Sequence, residues 1–359
     1  MNQLINAIQQ NNPGPIILMG SGETSASSGT IFEKVASIYP APVKISILET
    51  PAGFELNSSR VAGRVADYLQ VRLQNYKPEI SVIPARRKGT VDSPDSEEIL
   101  ESLYQTDIIF MGPGSPTYTA RQLSGTLAYE IIQAKHRTGT ALVLASAATI
   151  AFGCQTMPVY EIFKAGMDLH WQPGLDFFRD YGLSLIIIPH WNNAEGGTEL
   201  DTSRCFMGKD RFEELVGILQ CEGTIVGIDE HTSLWVDLAN SQAQVFGKGT
   251  VHIIRDGDER CFTSGELVPL QLLGNYVYPS DSFVGIRPEV WGKLNDFHQL
   301  QQIDRNAAPP AEIMDLIQQR EAARESKDFA LSDRLRKQVR QQGWRIMDTS
   351  AGTLVEKIH

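Results

Sequence analysis

Short apolar runs alternate with segments of helical period through the first half of the chain. The runs are Pro15–Gly20, Val43–Glu49, Ile80–Pro84, Asp107–Gly112 and Ala141–Ala145, while Ser58–Leu73 and Thr117–Ala134 carry apolar residues at helical spacing. Runs of this length without strict alternation predict strands buried on both faces. Their alternation with amphipathic helices predicts βαβ units around a parallel sheet. Three of the strands end at small residues: Gly20-Ser21-Gly22, Gly112-Pro113-Gly114 and Ala145-Ser146-Ala147-Ala148. Ligand crevices in open α/β sheets lie at the carboxyl ends of the strands, so these turns are expected to share one crevice.

After Ala148 the pattern changes. Residues 154–210 are rich in polar and aromatic side chains and hold one clear strand, Ser184–Pro189. Thr224–Ile228, Ser233–Asp237, Ala243–Gly247 and Thr250–Arg255 predict an antiparallel extension or meander. Residues 284–310, closing on Asn306-Ala307-Ala308-Pro309-Pro310, read as a linker. Two helices are expected over 311–341, with stripes Ile313, Leu316, Ile317 and Phe329, Leu331, Leu335, Val339, and a break at Lys327-Asp328. A short ending carries Trp344, Ile346, Leu354 and Val355. The domain reading is therefore 1–283 for an α/β domain, 284–310 for a linker and 311–359 for a helical tail.

Composition narrows the classes. A chain of 359 residues has room for about two domains. Its 42% hydrophobic and 21% charged content excludes fibrous or mostly disordered protein. A net charge of −11 argues against gripping nucleic acid over the whole surface. The tail is an exception, with eight basic and four acidic residues between Arg320 and Arg345. Met1–Asn12 has no basic start or long apolar core, and the longest aliphatic stretch, Leu183–Pro189, is too short to span a bilayer. A soluble cytoplasmic chain without membrane contact is expected.

The four cysteines, Cys154, Cys205, Cys221 and Cys261, lie far apart without a Cys-x-x-Cys pair, which argues against a disulfide framework. No His-x-x-x-His or His-Glu-x-x-His occurs, and Asp229-Glu230-His231 reads as a strand-end turn, so no metal is expected. The glycine turns match neither Gly-x-Gly-x-x-Gly nor a P-loop, so no dinucleotide or ATP cofactor is expected either.

The candidate chemistry centres on Ser146. It stands between a strand and a helix with alanines around it, as a nucleophile needs on a sharp turn, although Leu144 and Ala148 replace the glycines of Gly-x-Ser-x-Gly. His190 follows the run Ile186-Ile187-Ile188-Pro189 and is a candidate general base, rimmed by Trp191, Asn192 and Asn193. Glu161 is the favoured acid to orient it, with Asp168 and Asp201 as competitors and a plain Glu161–Lys164 salt bridge as the bland alternative. Arg204 is a candidate clamp for a substrate carboxylate, against a simple Asp201–Arg204 pair. Cys205 is a rival nucleophile without an elbow around it. Gly22 and Gly114, in their glycine-rich turns, are candidate backbone donors to substrate or oxyanion.

The stretch Gly112-Pro113-Gly114-Ser115 to Leu123, then Ala145-Ser146-Ala147-Ala148, then Pro189-His190, resembles the peptidase E and cyanophycinase family of serine peptidases. That family shares the doubly wound fold of class I glutamine amidotransferases. Val226-Gly227-Ile228-Asp229-Glu230-His231-Thr232 resembles the family's glycine–acid turn after its catalytic core, and the resemblance covers about residues 14–255. It implies a serine on an elbow, a histidine downstream and an acid between them, carried over to Ser146, His190 and Glu161. It also implies oxyanion donors at Gly114 and Ala147.

The segment between Ser146 and His190, with Tyr-Glu-Ile-Phe-Lys, Pro-His-Trp-Asn-Asn and Asp-Thr-Ser-Arg-Cys, is closer to an amidotransferase-like branch of unassigned specificity. In the tail, Leu316-Ile317-Gln318-Gln319-Arg320, Lys327-Asp328-Phe329, Gly343-Trp344, Asp348-Thr349 and Gly352-Thr353 resemble the C-terminal end of cysteinyl-tRNA synthetase. This implies a small module that meets tRNA or a protein partner, packs on the core or supports a homodimer.

The fold expectation is thus α/β, with a doubly wound, mostly parallel sheet, a β extension and a small C-terminal helical module. The leading function is a serine hydrolase for a peptide or amide bond, with Asn192, Asn193, Arg204 and Gly22 on the substrate. A non-catalytic binding protein of the same fold is the rival. A glutamine amidotransferase is disfavoured because serine stands where cysteine is usual.

Overall fold

The computed structural model describes residues 12–279, 283–305, 309–349 and 352–357. The N-terminal segment read above for a leader therefore lies outside the described residues. The chain divides into two compact units between Trp291 and Gly292. The expected linker over 284–310 is mostly helix, Pro288–Arg305, because Pro309 and Pro310 punctuate only its far end.

The first unit is a mixed α/β structure around a large, mostly parallel sheet. Its first strands are β1 (Ile16–Met19), β2 (Lys44–Leu48), β3 (Glu79–Ile83), β4 (Ile108–Met111) and β5 (Ala141–Ala145). β1 pairs with β5, β5 with β4, β4 with β2 and β2 with β3, all parallel. All residues of β1, β4 and β5 are buried, as a sheet with two covered faces requires. Ile17, Ile45, Ile47, Phe110 and Val143 pack with Ile31, Phe32, Val35, Val65 and Leu69 from the helices Ala26–Ala36 and Ser58–Arg72. The single helical period over Thr117–Ala134 resolves into two helices, Pro116–Leu123 and Leu127–Arg137. Gly125, at φ +69°, breaks the run, and Thr126 restarts it by accepting a hydrogen bond from the Tyr129 amide.

The second half departs from a simple meander. Two short strands, β6 (Gln155–Thr156) and β7 (Gln172–Pro173), pair with each other, and β8 (Leu185–Ile188) opens a separate four-stranded sheet. β9 (Thr224–Ile228) lies parallel to β8 in that second sheet. The chain then crosses to the large sheet, where β10 (Thr232–Asp237) runs antiparallel to β1 and β11 (Gln242–Gly247) antiparallel to β10. It returns for β12 (Thr250–Arg255) and β13 (Asp258–Thr263), and crosses again for β14 (Leu267–Pro269), which closes on β11. β13 escapes a hydrophobicity reading because it is an almost wholly exposed edge strand.

The second unit contains the helices Ala311–Glu325 and Phe329–Gln341 and a hairpin of β15 (Trp344–Thr349) and β16 (Gly352–Lys357). Ile313, Ile317, Val339, Trp344 and Ile346 form its core. Arg320, 3% exposed, binds Asp348 through both terminal nitrogens at 3.0 and 2.7 Å. This bond, with Arg324 at 2.6 Å, holds the Asp348 carboxyl below its ordinary range. The tail is thus a helical hairpin with a β-hairpin, tied by an ion pair between the buried Arg320 and the more exposed Asp348. Among the described residues no helix is long and apolar enough to cross a membrane.

Candidate active site

β5 delivers Ser146 one residue past its end. The parallel register sets Ala145 beside Met19, so Ser146 emerges next to the Gly20 turn. Ser146 has φ +51° and ψ −113°, an unfavourable conformation for a residue with a Cβ. Ala145, Ala147 and Ala148 are buried around it. The sharp turn expected of an elbow therefore forms with Leu144 and Ala148 in the usual glycine positions.

The parallel pairing of β8 and β9 sets two further turns side by side. His190 stands two residues past Ile188, and Glu230 two residues past Ile228. Gly20 joins both to the large sheet: its carbonyl accepts from the His190 amide at 3.1 Å, and its amide donates to Thr232 at 2.8 Å. A Cβ at Gly20 would stand 2.0 Å from the Asp229 carbonyl oxygen, so only glycine fits this contact.

The three turns create one hydrogen-bonded chain. Ser146 Oγ lies 2.9 Å from His190 Nε2, and His190 Nδ1 lies 2.9 Å from Glu230 Oε1. Asn193 Nδ2 donates to the same carboxylate oxygen at 3.0 Å, and Asn192 Oδ1 accepts from the Glu230 amide at 2.8 Å. The His190 bond, followed by that of Asn193, brings the Glu230 carboxyl down to about 2 against the opposing cost of burial. Glu230 is therefore a fixed anion behind the ring.

Glu161 stands elsewhere. It belongs to the helix Val159–Phe163, and its Oε1 accepts from Thr117 Oγ1. Its Oε2 is buried without a hydrogen-bond partner. Neither competing aspartate replaces it: Asp168 is exposed, and Asp201 accepts from the Ser203 and Lys209 amides at 2.9 and 2.8 Å. Sequence order misdirected this assignment by seeking an acid between serine and histidine. The available signal was the equal spacing of His190 and Glu230 beyond two apolar strands.

The expected substrate contacts also change. Asn192 and Asn193 hold Glu230, as described. The Arg204 guanidinium lies 3.9 Å over the Trp191 ring and donates to the Trp191 carbonyl at 3.2 Å, so it is engaged away from the serine. Gly22, at φ +74°, abuts the His231 ring, and its carbonyl accepts from the Ser25 amide. Cys205 lines the cavity, and burial pushes its thiol up to about 12, against forming the thiolate a nucleophile needs.

Gly114, Ser146, Ala147 and His190 all open on a cavity of about 360 Å³. Gly114 has φ +151°, and a Cβ there would collide with the Pro51 carbonyl at 1.9 Å. Ile150, Val159, Tyr160, Phe163, Leu200 and Phe206 provide most of the apolar wall, while the exposed Lys164 and Glu195 border it. A half-buried serine, an imidazole and a fixed anion in one hydrogen-bonded chain, with Gly114 and Ala147 beside them on the cavity wall, make an arrangement that could support acyl transfer.

The fold is that of a mixed α/β protein in which Ser146, His190 and Glu230 form one hydrogen-bonded chain. Among solved structures it is similar to a peptidase from an acI-B1 actinobacterium, 20% identical with a TM-score of 0.59, covering 73% of this chain and 99% of that one. It is also similar to a putative peptidase E from Listeria monocytogenes EGD-e, at 15% identity, a TM-score of 0.44, and 66% and 100% coverage. The first likeness shows a shared fold. No family model matches. The cysteine–tRNA ligase of Caldicellulosiruptor saccharolyticus is 39% identical over 54 residues, 15% of this chain, and the match spans 12% of the ligase.

Proposed function

We propose that the first unit is a serine hydrolase that cleaves a peptide or amide bond. The observation carrying this reading is the continuous chain from Ser146 through His190 to Glu230 at the wall of a cavity. His190 Nε2 takes the Ser146 proton as Oγ attacks the substrate carbonyl. The amides of Gly114 and Ala147 receive the oxyanion. His190 then gives its proton to the leaving amine, and water releases the acyl group by the same route. Glu230 stays ionised, holds the ring in the tautomer with Nε2 free to accept, and stabilises the imidazolium.

The cavity chemistry favours an apolar or aromatic side chain on the acyl side of the substrate. The nearby arginines are engaged elsewhere: Arg204 with Trp191, and Arg211 with the Met207 and Phe206 carbonyls. The test is labelling by a serine-directed fluorophosphonate, followed by a peptide screen that sets leucine and phenylalanine against aspartate. Ser146→Ala and His190→Ala are expected to reduce labelling and cleavage by at least about 10⁴-fold. Equal labelling of Ser146→Ala and wild type would remove the proposal, and a preference for aspartate would remove its substrate clause alone.

A further inference from the structure

The edge hairpin of β12 and β13 gathers three kinds of metal ligand on one face. His252 and Cys261 are direct cross-strand partners, and Glu259 stands two residues before Cys261, on the same side of the pleat. His252 Nδ1 lies 2.8 Å from Glu259 Oε1 and 3.4 Å from Cys261 Sγ, and Sγ lies 3.9 Å from that carboxylate oxygen. Zinc bonds of about 2.0–2.3 Å at tetrahedral angles separate neighbouring ligand atoms by roughly 3.3–3.6 Å. The three separations, 2.8, 3.4 and 3.9 Å, bracket that spacing, so shifts of about half an ångström bring the donors onto one face of such a tetrahedron. Among the described residues they are the only group of three or more His, Cys, Asp and Glu donors close enough to share an ion.

A second observation comes from the other edge of the ring. His252 Nε2 faces Asp229 Oδ1 at 3.7 Å. The Asp229 side chain is 10% exposed, its Oδ2 accepts from the Thr250 amide at 2.9 Å, and its Oδ1 has no hydrogen-bond partner. A carboxylate behind the second ring nitrogen is the outer support that fixes the tautomer and orientation of a metal-bound histidine. The Trp191 ring, 5.3 Å away and tilted by 31°, flanks the same imidazole. A histidine ion-paired with Asp229 and Glu259 would account for the two acids, but not for a thiol 3.4 Å from the same ring nitrogen that faces Glu259.

We propose that His252 Nδ1, Glu259 and Cys261 bind a zinc-type divalent cation, with Asp229 as the outer partner of His252. The mixed nitrogen, oxygen and sulfur donors suit zinc over magnesium or calcium. Water or another exchangeable ligand takes the fourth position. Asp229 directly precedes Glu230, so the ion would brace the turn that carries the anion behind His190. The binding claim itself stands independently of the hydrolase reading.

The test uses the full-length, untagged chain freed of metal. Zinc is titrated against a chromogenic chelator, and cobalt(II) is followed by its absorption spectrum. Wild type is expected to take up one equivalent in a site that shows a thiolate-to-cobalt charge-transfer band. Cys261→Ser should abolish that band. It should also weaken zinc binding by more than the roughly 10–100-fold that loss of an outer partner costs. Glu259→Gln, also at an exposed position, should weaken binding, while Glu266→Gln should leave it unchanged; these substitutions test the site even if His252→Gln fails to fold. Absence of zinc uptake, a cobalt spectrum without the thiolate band, or equal affinity in wild type and Cys261→Ser overturns the proposal.

Discussion

Two sheets contribute to the candidate site, and they differ in how directly local sequence describes them. The large sheet supplies Ser146 from a regular succession of buried parallel strands. The second sheet supplies His190 and Glu230 from parallel neighbours whose chain continues by crossing between sheets. In the first region, chain order and spatial order follow the repeating βαβ unit. In the second, a strand's hydrophobicity records its burial without recording which sheet it joins.

The largest effect that can break this comparison lies in two glutamates. Glu230→Gln is expected to reduce fluorophosphonate labelling by about 10³–10⁴-fold, because a neutral amide no longer stabilises the imidazolium or enforces its tautomer. Glu161→Gln should change labelling by less than about tenfold, because its carboxylate bonds Thr117 rather than His190. Labelling rates for both variants, with circular dichroism to verify folding, decide between the two acids. The reverse ranking would return the orienting role to the residue suggested by chain order.

Much of the positional information was legible before the structure. The buried runs that form β1, β4 and β5 announce themselves through uninterrupted apolar residues, β2 does so with only Lys44 and Ser46 among its apolar residues, and Ser146 and His190 each follow such a run. Glu230 occupies the same kind of position after β9. Its visible motif, Asp229-Glu230-His231, is also an ordinary turn motif, and only the β8–β9 pairing distinguishes the two meanings. Arg204 shows the opposite difficulty. Its charge suggests a carboxylate clamp, but the Trp191 face that engages it is a tertiary contact. The polar strand β13 likewise carries no apolar signal of its own and becomes a strand by pairing with β12.

A smaller perturbation tests the join between the sheets. Gly20→Ala adds a methyl group where the Asp229 backbone already occupies the space. The expected cost is about 2–3 kcal/mol, through backbone displacement at a packed contact. Urea unfolding should register that loss, and labelling should slow because the Glu230 turn moves relative to His190. A variant with wild-type stability and labelling would show that the join relaxes freely, and that the positions of His190 and Glu230 do not depend on it.

The smallest effect separates the charge of Glu230 from its shape. Its folded-state pKa is depressed from 4.5 to about 2, chiefly by the His190 bond. The unfolded chain therefore binds its proton first as pH falls, and acid favours unfolding. The associated stability is fully present above the unfolded value and disappears as pH drops through the folded one. For a partly exposed carboxylate it should amount to about 1 kcal/mol or less at neutral pH. Urea unfolding of wild type and Glu230→Gln at pH 7, 4.5 and 3 isolates this contribution, because the variant retains the side-chain volume but cannot titrate there. The stability difference should narrow as pH falls from 4.5 to 3; a constant difference would mean that packing or neutral hydrogen bonding, rather than the charge held against His190, stabilises this turn.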